Sequence, residues 1–194
     1  MKKVMIFILL IIVGFILYEG RKMNEKKIDD INKWAEEILD FTKKASLWEE
    51  YDDARYEKLI FMAENTKEVQ VVQGLMHCLE YEIGGMDQTI EDTLATVEPL
   101  IYYKALFELV PELVLDRDNR DVFIGLLSQA HGYKYTEDEW KGFFYIGKES
   151  LSRKDLEGVM LAYKEAGFEH EETDYPYHQF YKLFKKLLKE KSEQ

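Results

Sequence analysis

The chain has 194 residues and a formal net charge of −12, from 38 Asp/Glu against 26 Lys/Arg. Its 13 Tyr, 11 Phe and 3 Trp argue against a disordered chain, and its acidic balance argues against direct binding of nucleic-acid phosphates. One cysteine, Cys78, excludes an internal disulfide, which fits a reducing compartment or a bacterial surface where disulfides are not relied on.

Met1–Lys27 reads as a membrane segment. Lys2 and Lys3 precede an unbroken apolar run, Val4–Tyr18, in which Val4, Phe7, Leu10, Ile12, Phe15 and Tyr18 are the anchor residues, and charge returns at Glu19. As a helix the run spans about 22 Å, short of the roughly 30 Å hydrocarbon core. Lys2, Lys3, Arg21 and Lys22 can snorkel, and the bilayer can thin slightly, to absorb the difference. A cleaved signal peptide shares the basic start and the length, and would make the product secreted. The flank Ile16–Arg21 offers no pair of small residues for cleavage, so the preferred reading is an uncleaved, single-pass cell-membrane anchor. The charges flanking the run favour a cytoplasmic body, whereas the Met-Lys-Lys opening is typical of exported chains, so the two cues conflict.

Residues 28–194 suit one acidic all-α domain. The predicted architecture is a single globular multi-helix bundle preceded by an N-terminal membrane-anchoring helix. Six Lys/Arg and two Asp/Glu sit in residues 1–27, leaving 20 against 36, or −16. Pro176–Gln194 holds five Lys and two Glu, or +3, so Ile28–Tyr175 carries 15 basic and 34 acidic residues, net −19.

The helices follow in order. Ile28, Ile31, Trp34, Ala35, Ile38, Phe41, Thr42 and Ala45 recur at three- and four-residue spacing and predict an amphipathic helix over Ile28–Ala45. Ser46-Leu47-Trp48-Glu49 has capping-box spacing, so a second helix is expected from Leu47 to about Glu64. Val69, Val72, Met76, Leu79 and Ile83 predict a third, ended by Gly84-Gly85, and a fourth starts over Thr89–Asp92. Ile90–Leu115 is the most apolar part of the body; Pro99 and Pro111 divide it into two or three short helices at the core centre. Asp118 or Asn119 caps a helix ending near His131-Gly132. Thr136 with Glu139 opens Glu137–Gly147, and Ser152 with Asp155 opens a helix that Gly167 closes. The last helix, about Pro176–Lys189, sets Tyr177, Phe180, Tyr181, Phe184, Leu187 and Leu188 opposite Lys182, Lys185, Lys186 and Lys189. It is expected to dock onto its own body, with the lysines answering the acidic remainder. No period-two strand or hairpin signal is present.

Several motifs fail on their chemistry. Gly142 to Lys148 matches the spacing of a phosphate loop, but the residues between the glycines are bulky and apolar, and Glu149 stands where Ser or Thr is needed. Asp116 to Leu127 lacks the glycine and terminal glutamate of a calcium loop. His77 and Cys78 are adjacent on a helix, pointing about 100° apart, and do not form a dyad. His170, Asp174 and His178, with Glu171 and Glu172, are candidate metal ligands, though their spacing matches no recognised zinc signature and Pro176 keeps the histidines off one helix. The alternative is a polar loop before the last helix. No catalytic or cofactor-binding residue and no cofactor is expected.

Leu79-Glu80-Tyr81-Glu82-Ile83-Gly84-Gly85-Met86-Asp87-Gln88 resembles a signature of a family of bacterial all-helical domains of mostly unknown function, with the rough pattern E-V-N-N-G-G-F-x-Q. Glu80, Gly84, Gly85 and Gln88 match; Met86 replaces the aromatic residue and both asparagines are missing. Acidic members of that family are described as DNA mimics, so the resemblance implies an all-helical regulator, which would need a cytoplasmic body. The residues themselves lead to a different first expectation: a membrane-anchored, non-enzymatic protein that binds a basic protein partner through its acidic surface, as an immunity protein or inhibitor would. It contacts membrane lipid through the N-terminal helix and does not bind nucleic acid directly. A metal-dependent enzyme using the 170–178 loop is the remaining alternative.

Overall fold

The computed structural model describes residues 30–81, 86–115, 117–129, 134–168 and 176–193. Their regular elements are all helices, with no strand among the described residues, as the hydrophobic periodicity predicts. The chain divides into two compact units, Met1–Glu37 and Ile38–Gln194. The anchor run and its six named residues lie outside the described residues. Among the described residues no helix is long and apolar enough to cross a membrane.

Helix α1 occupies 30–46, and from Ile38 onward it belongs to the larger unit. There its inward side carries Ile38 and Thr42, both fully buried. The Thr42 hydroxyl donates to the Ile38 carbonyl at 2.8 Å and shares a hydrogen bond with the Tyr56 hydroxyl at 2.8 Å, which ties α1 to α2 (Asp53–Phe61). The expected second helix forms, but it starts at Asp53, six residues after Leu47. The backbone N–H of Glu49 donates to Lys44 O at 2.9 Å, that of Trp48 donates to Ala45 O at 3.1 Å, and Trp48 sits at φ +57°. This is a helix-ending Schellman turn with tryptophan in the left-handed position that glycine usually fills. Ser46 therefore lies at the end of α1, its hydroxyl donating back to Lys43 O, and Asp52 caps α2 by accepting from Arg55 N at 3.0 Å.

Helix α3 (Val69–Cys78) ends well before the Gly84-Gly85 pair, which lies outside the described residues, and α4 (Met86–Leu94) starts three residues earlier than expected. Helix α5 (Pro99–Leu113) opens at Pro99 as expected, but it runs unbroken through Pro111, so Ile90–Leu115 holds one division and not two. Pro99 is at the first turn, where a missing N–H costs nothing. Pro111 falls in the last turn, so only one N–H is lost before the helix ends. Eight buried side chains, Tyr102, Tyr103, Ala105, Leu106, Phe107, Leu109, Val110 and Leu113, hold it in place. Helix α6 (Arg117–Gln129) begins before Asp118 and Asn119, which are inside it and do not cap it. The capping boxes at α7 (Glu137–Ser150) and α8 (Arg153–Glu165) form as predicted. Thr136 N donates to Glu139 Oε2 at 2.6 Å and Ser152 N to Asp155 Oδ2 at 2.7 Å. Gly167, at φ +72°, closes α8.

Helix α5 packs against α3, α6, α7 and α8, and α9 (Pro176–Ser192) packs against α6, α7 and α8. Tyr103 is the centre of the core, with ring centroids 4.4 Å from Phe180 and 4.6 Å from Phe143. Trp140 lies 4.8 Å from Phe180, and Phe184 5.4 Å from Phe107. The buried hydroxyl of Tyr103 shares a hydrogen bond with that of Tyr135 at 2.9 Å. The two glycines of the rejected phosphate loop lie within α7 as packing surfaces. A Cβ on Gly142 would come within 2.5 Å of Leu100 on α5, and one on Gly147 within 2.7 Å of Leu187 on α9.

Truncating the centre of this cluster creates a cavity, so Phe180→Ala is expected to cost about 3–5 kcal/mol, whereas removing the α8 cap with Ser152→Ala costs about 1 kcal/mol. Trp48→Gly has the opposite sign. Trp48 is 94% exposed and strained, so glycine there is expected to stabilise by about 1 kcal/mol. Urea denaturation of the three variants checks the ranking.

Candidate functional site

The turn after α3 is tightly wound. Leu79 N donates to Met76 O, Glu80 N to His77 O and Tyr81 N to Cys78 O, at 3.1–3.3 Å. This winding puts Glu80 on the same side as His77, and their Oε1 and Nδ1 atoms are 2.6 Å apart. Asp87 and Glu91, one helical turn apart on α4, face the same space as Val122, Gly125 and Leu126 of α6. Together with Leu79, Glu80 and Tyr81 they line a cleft of about 340 Å³. A Cβ on Gly125 would meet nothing within 4 Å, so this wall is open. The Tyr102 hydroxyl donates to Leu126 O at 2.8 Å and fixes α6 to the core behind the cleft.

The cleft therefore combines three carboxylates with apolar contact from Leu79, Val122 and Leu126. Burial raises the pKa of Glu91, and the charges of Asp87 and Asp92 add to the rise. His77 is raised as well, first by its hydrogen bond to Glu80, against the effect of burial, with the charges of Glu80 and Glu112 adding to it. Such a lining suits a cationic group carried on an apolar stem. The nearby thiol is not equipped to attack. Cys78 is buried, its Sγ bonds to Gly74 O at 3.2 Å, and burial pushes its pKa up to about 11, away from the reactive thiolate.

The structure separates the residues singled out from the sequence. Glu80 is in the cleft. Gln88 is exposed on α4, donating to Asp92 Oδ1 at 2.8 Å, and Gly84 and Gly85 lie outside the described residues. His178 is buried in the first turn of α9, while His170 and Asp174 lie outside the described residues. Among the described residues no group of three or more His, Cys, Asp or Glu is placed to hold a metal ion. Sequence reasoning missed Asp87 and Glu91. Their four-residue spacing was a signal, because two like charges on one helical side are unfavourable without a use or compensation.

Two further surfaces stand out. Leu47 and Trp48 are 68% and 94% exposed at the tip between α1 and α2, followed by exposed Glu49, Glu50, Asp52 and Asp53. Between α7 and α9 a groove of about 420 Å³ is lined by Glu137, Trp140, Lys141, Phe144, Tyr145, Leu183 and Lys186. In comparison with known proteins, no family model, no curated protein and no solved structure matches this chain.

The folded His77 imidazole holds its proton more tightly than the unfolded one. Stabilisation by the Glu80 pair is therefore full below about pH 6.5 and fades as pH rises through the raised value. His77→Gln is accordingly expected to cost most stability below that pH and least well above it. Glu91 has the opposite sign, since the fold disfavours its ionised form, so Glu91→Gln is expected to stabilise at neutral pH and to lose that advantage in acid. Urea denaturation at several pH values reads both trends. An NMR titration of His77 in Glu80→Gln should move its midpoint back toward 6.5.

Proposed function

We propose that this chain is a membrane-anchored, non-enzymatic bacterial protein that binds a basic protein partner on its acidic helical surface, as an immunity protein or inhibitor does. The observation that carries the reading is the charge of −19 over Ile28–Tyr175, concentrated locally at Glu80, Asp87 and Glu91 beside apolar cleft walls. An arginine or lysine of the partner lays its aliphatic stem on Leu79, Val122 and Leu126 and presents its charged head to the carboxylates. The exposed Trp48 supplies a second contact. Tryptophan is a frequent hot spot, and here it is 94% exposed in a left-handed backbone conformation that glycine would hold with less strain. The apolar run Val4–Tyr18 holds the body at the membrane.

A second reading is favoured by the position of Glu80, the residue of the family-like signature that lines the cleft. On this reading the acidic surface stands in for DNA on a DNA-binding protein, with the body in the cytoplasm. Competition between the full-length protein and duplex DNA for the captured partner separates the two.

The full chain in detergent, used as bait, is expected to retain basic proteins at low salt and release them at high salt. Replacing Glu80, Asp87 and Glu91 together with Gln, Asn and Gln should lower retention at least tenfold. Capture that ignores both salt and these substitutions would contradict the electrostatic reading.

A further inference from the structure

The apolar side of α9 is used up by the core: Phe180, Tyr181, Leu183, Phe184 and Leu187 are all buried. Lys182, Lys185, Lys186 and Lys189 point the other way and are exposed. At 3.6 residues per turn they fall within an arc of about 100°, opposite the buried side. They make a basic stripe on a body that is otherwise strongly acidic. Beside the stripe runs the α7–α9 groove, whose wall adds Trp140, Phe144 and Tyr145, together with Lys141 and Glu137, which pair with each other at 3.0 Å. Tyr145 is 65% exposed, and the Lys186 ammonium lies 4.4 Å from the Phe144 ring centroid. Lysines interleaved with Trp, Tyr and Phe at one surface match the chemistry of the lipid headgroup layer. There the ammonium groups meet phosphates, and the amphipathic rings sit between water and acyl chains.

We propose that the outward side of α9, with the adjoining α7 groove, docks on the anionic headgroups of the membrane that holds the chain. The proposal rests on the membrane-anchored reading for its geometry. The acidic remainder is repelled by such a surface, so the basic stripe is the side that turns toward it. Tethering raises the effective concentration of headgroups at the stripe, so weak individual contacts are enough to orient the body. The acidic cleft is lined by α3, α4 and α6 and by the turn after α3, none of which contributes to the stripe, and it stays available to a protein partner.

The test is acetylation footprinting of the full chain in vesicles of neutral phosphatidylcholine, and in the same vesicles with a share of phosphatidylglycerol, read lysine by lysine by mass spectrometry. Docking predicts that Lys182, Lys185, Lys186 and Lys189 react at least threefold more slowly in the anionic vesicles, while exposed Lys58 and Lys67 react equally in both. The protection should vanish at high salt. It should also vanish, at the remaining two lysines, in the double variant Lys182→Glu/Lys186→Glu, with folding confirmed by circular dichroism. Equal reactivity of the stripe in both vesicles would overturn the proposal. So would protection that appears without lipid as protein concentration rises, which would assign the stripe to a second copy of the chain. Flotation on the neutral vesicles reads the anchor independently. A chain that fails to float there contradicts the anchored reading, and the footprint in anionic vesicles still decides the stripe.

Discussion

The packing of Tyr103 against Phe143 and Phe180 is the interaction on which the rest of the larger unit depends. It joins α5, α7 and α9, elements that are far apart in the chain, through ring centroids 4.4–4.6 Å away. Each ring brings a large apolar area out of water, and the tilted ring contacts add to that gain. The one polar atom buried with Tyr103 is answered by Tyr135, so the cluster carries no unsatisfied hydroxyl at that point. Gly142 and Gly147 let α7 approach Leu100 on one side and Leu187 on the other, closely enough for the rings to meet.

The core takes most of the apolar surface of the helices it joins, and the charge left outside it is divided unequally. Glu80, Asp87 and Glu91 gather around one cleft, while the lysines of α9 form a stripe on a different set of helices. Tyr102 links the two levels of organisation. It is wholly buried in the core, and its hydroxyl holds the carbonyl of Leu126, a wall of the acidic cleft. The core thus sets where each surface lies as well as holding the fold together.

Much of the local structure was legible because its signals are local. Thr136 with Glu139 and Ser152 with Asp155 mark helix starts by side-chain chemistry that needs only three residues of context, and the amphipathic pattern of α9 indicated which side would be buried. Three features were not legible. Ser46 to Glu49 imitates a capping box, yet the backbone closes there with Trp48 in a conformation that residue type argues against. Pro111 reads as a helix breaker, and only the burial of its neighbours in α5 reveals that the helix continues. The cleft is assembled from α3, α4 and α6, so no single stretch of sequence contains it. Periodicity predicts which side of each helix is apolar, but tertiary packing decides which polar residues meet beyond it.

A single aromatic core holds the acidic cleft and the basic stripe in fixed relation. Native-state hydrogen exchange of the full chain tests it most directly. Amides of α5, α7 and α9 around Tyr103, Phe143 and Phe180 should exchange only by global opening, with one shared free energy and one denaturant dependence. If α9 instead exchanges through a separate opening several kcal/mol below that of α5, the helix is not fixed by this core.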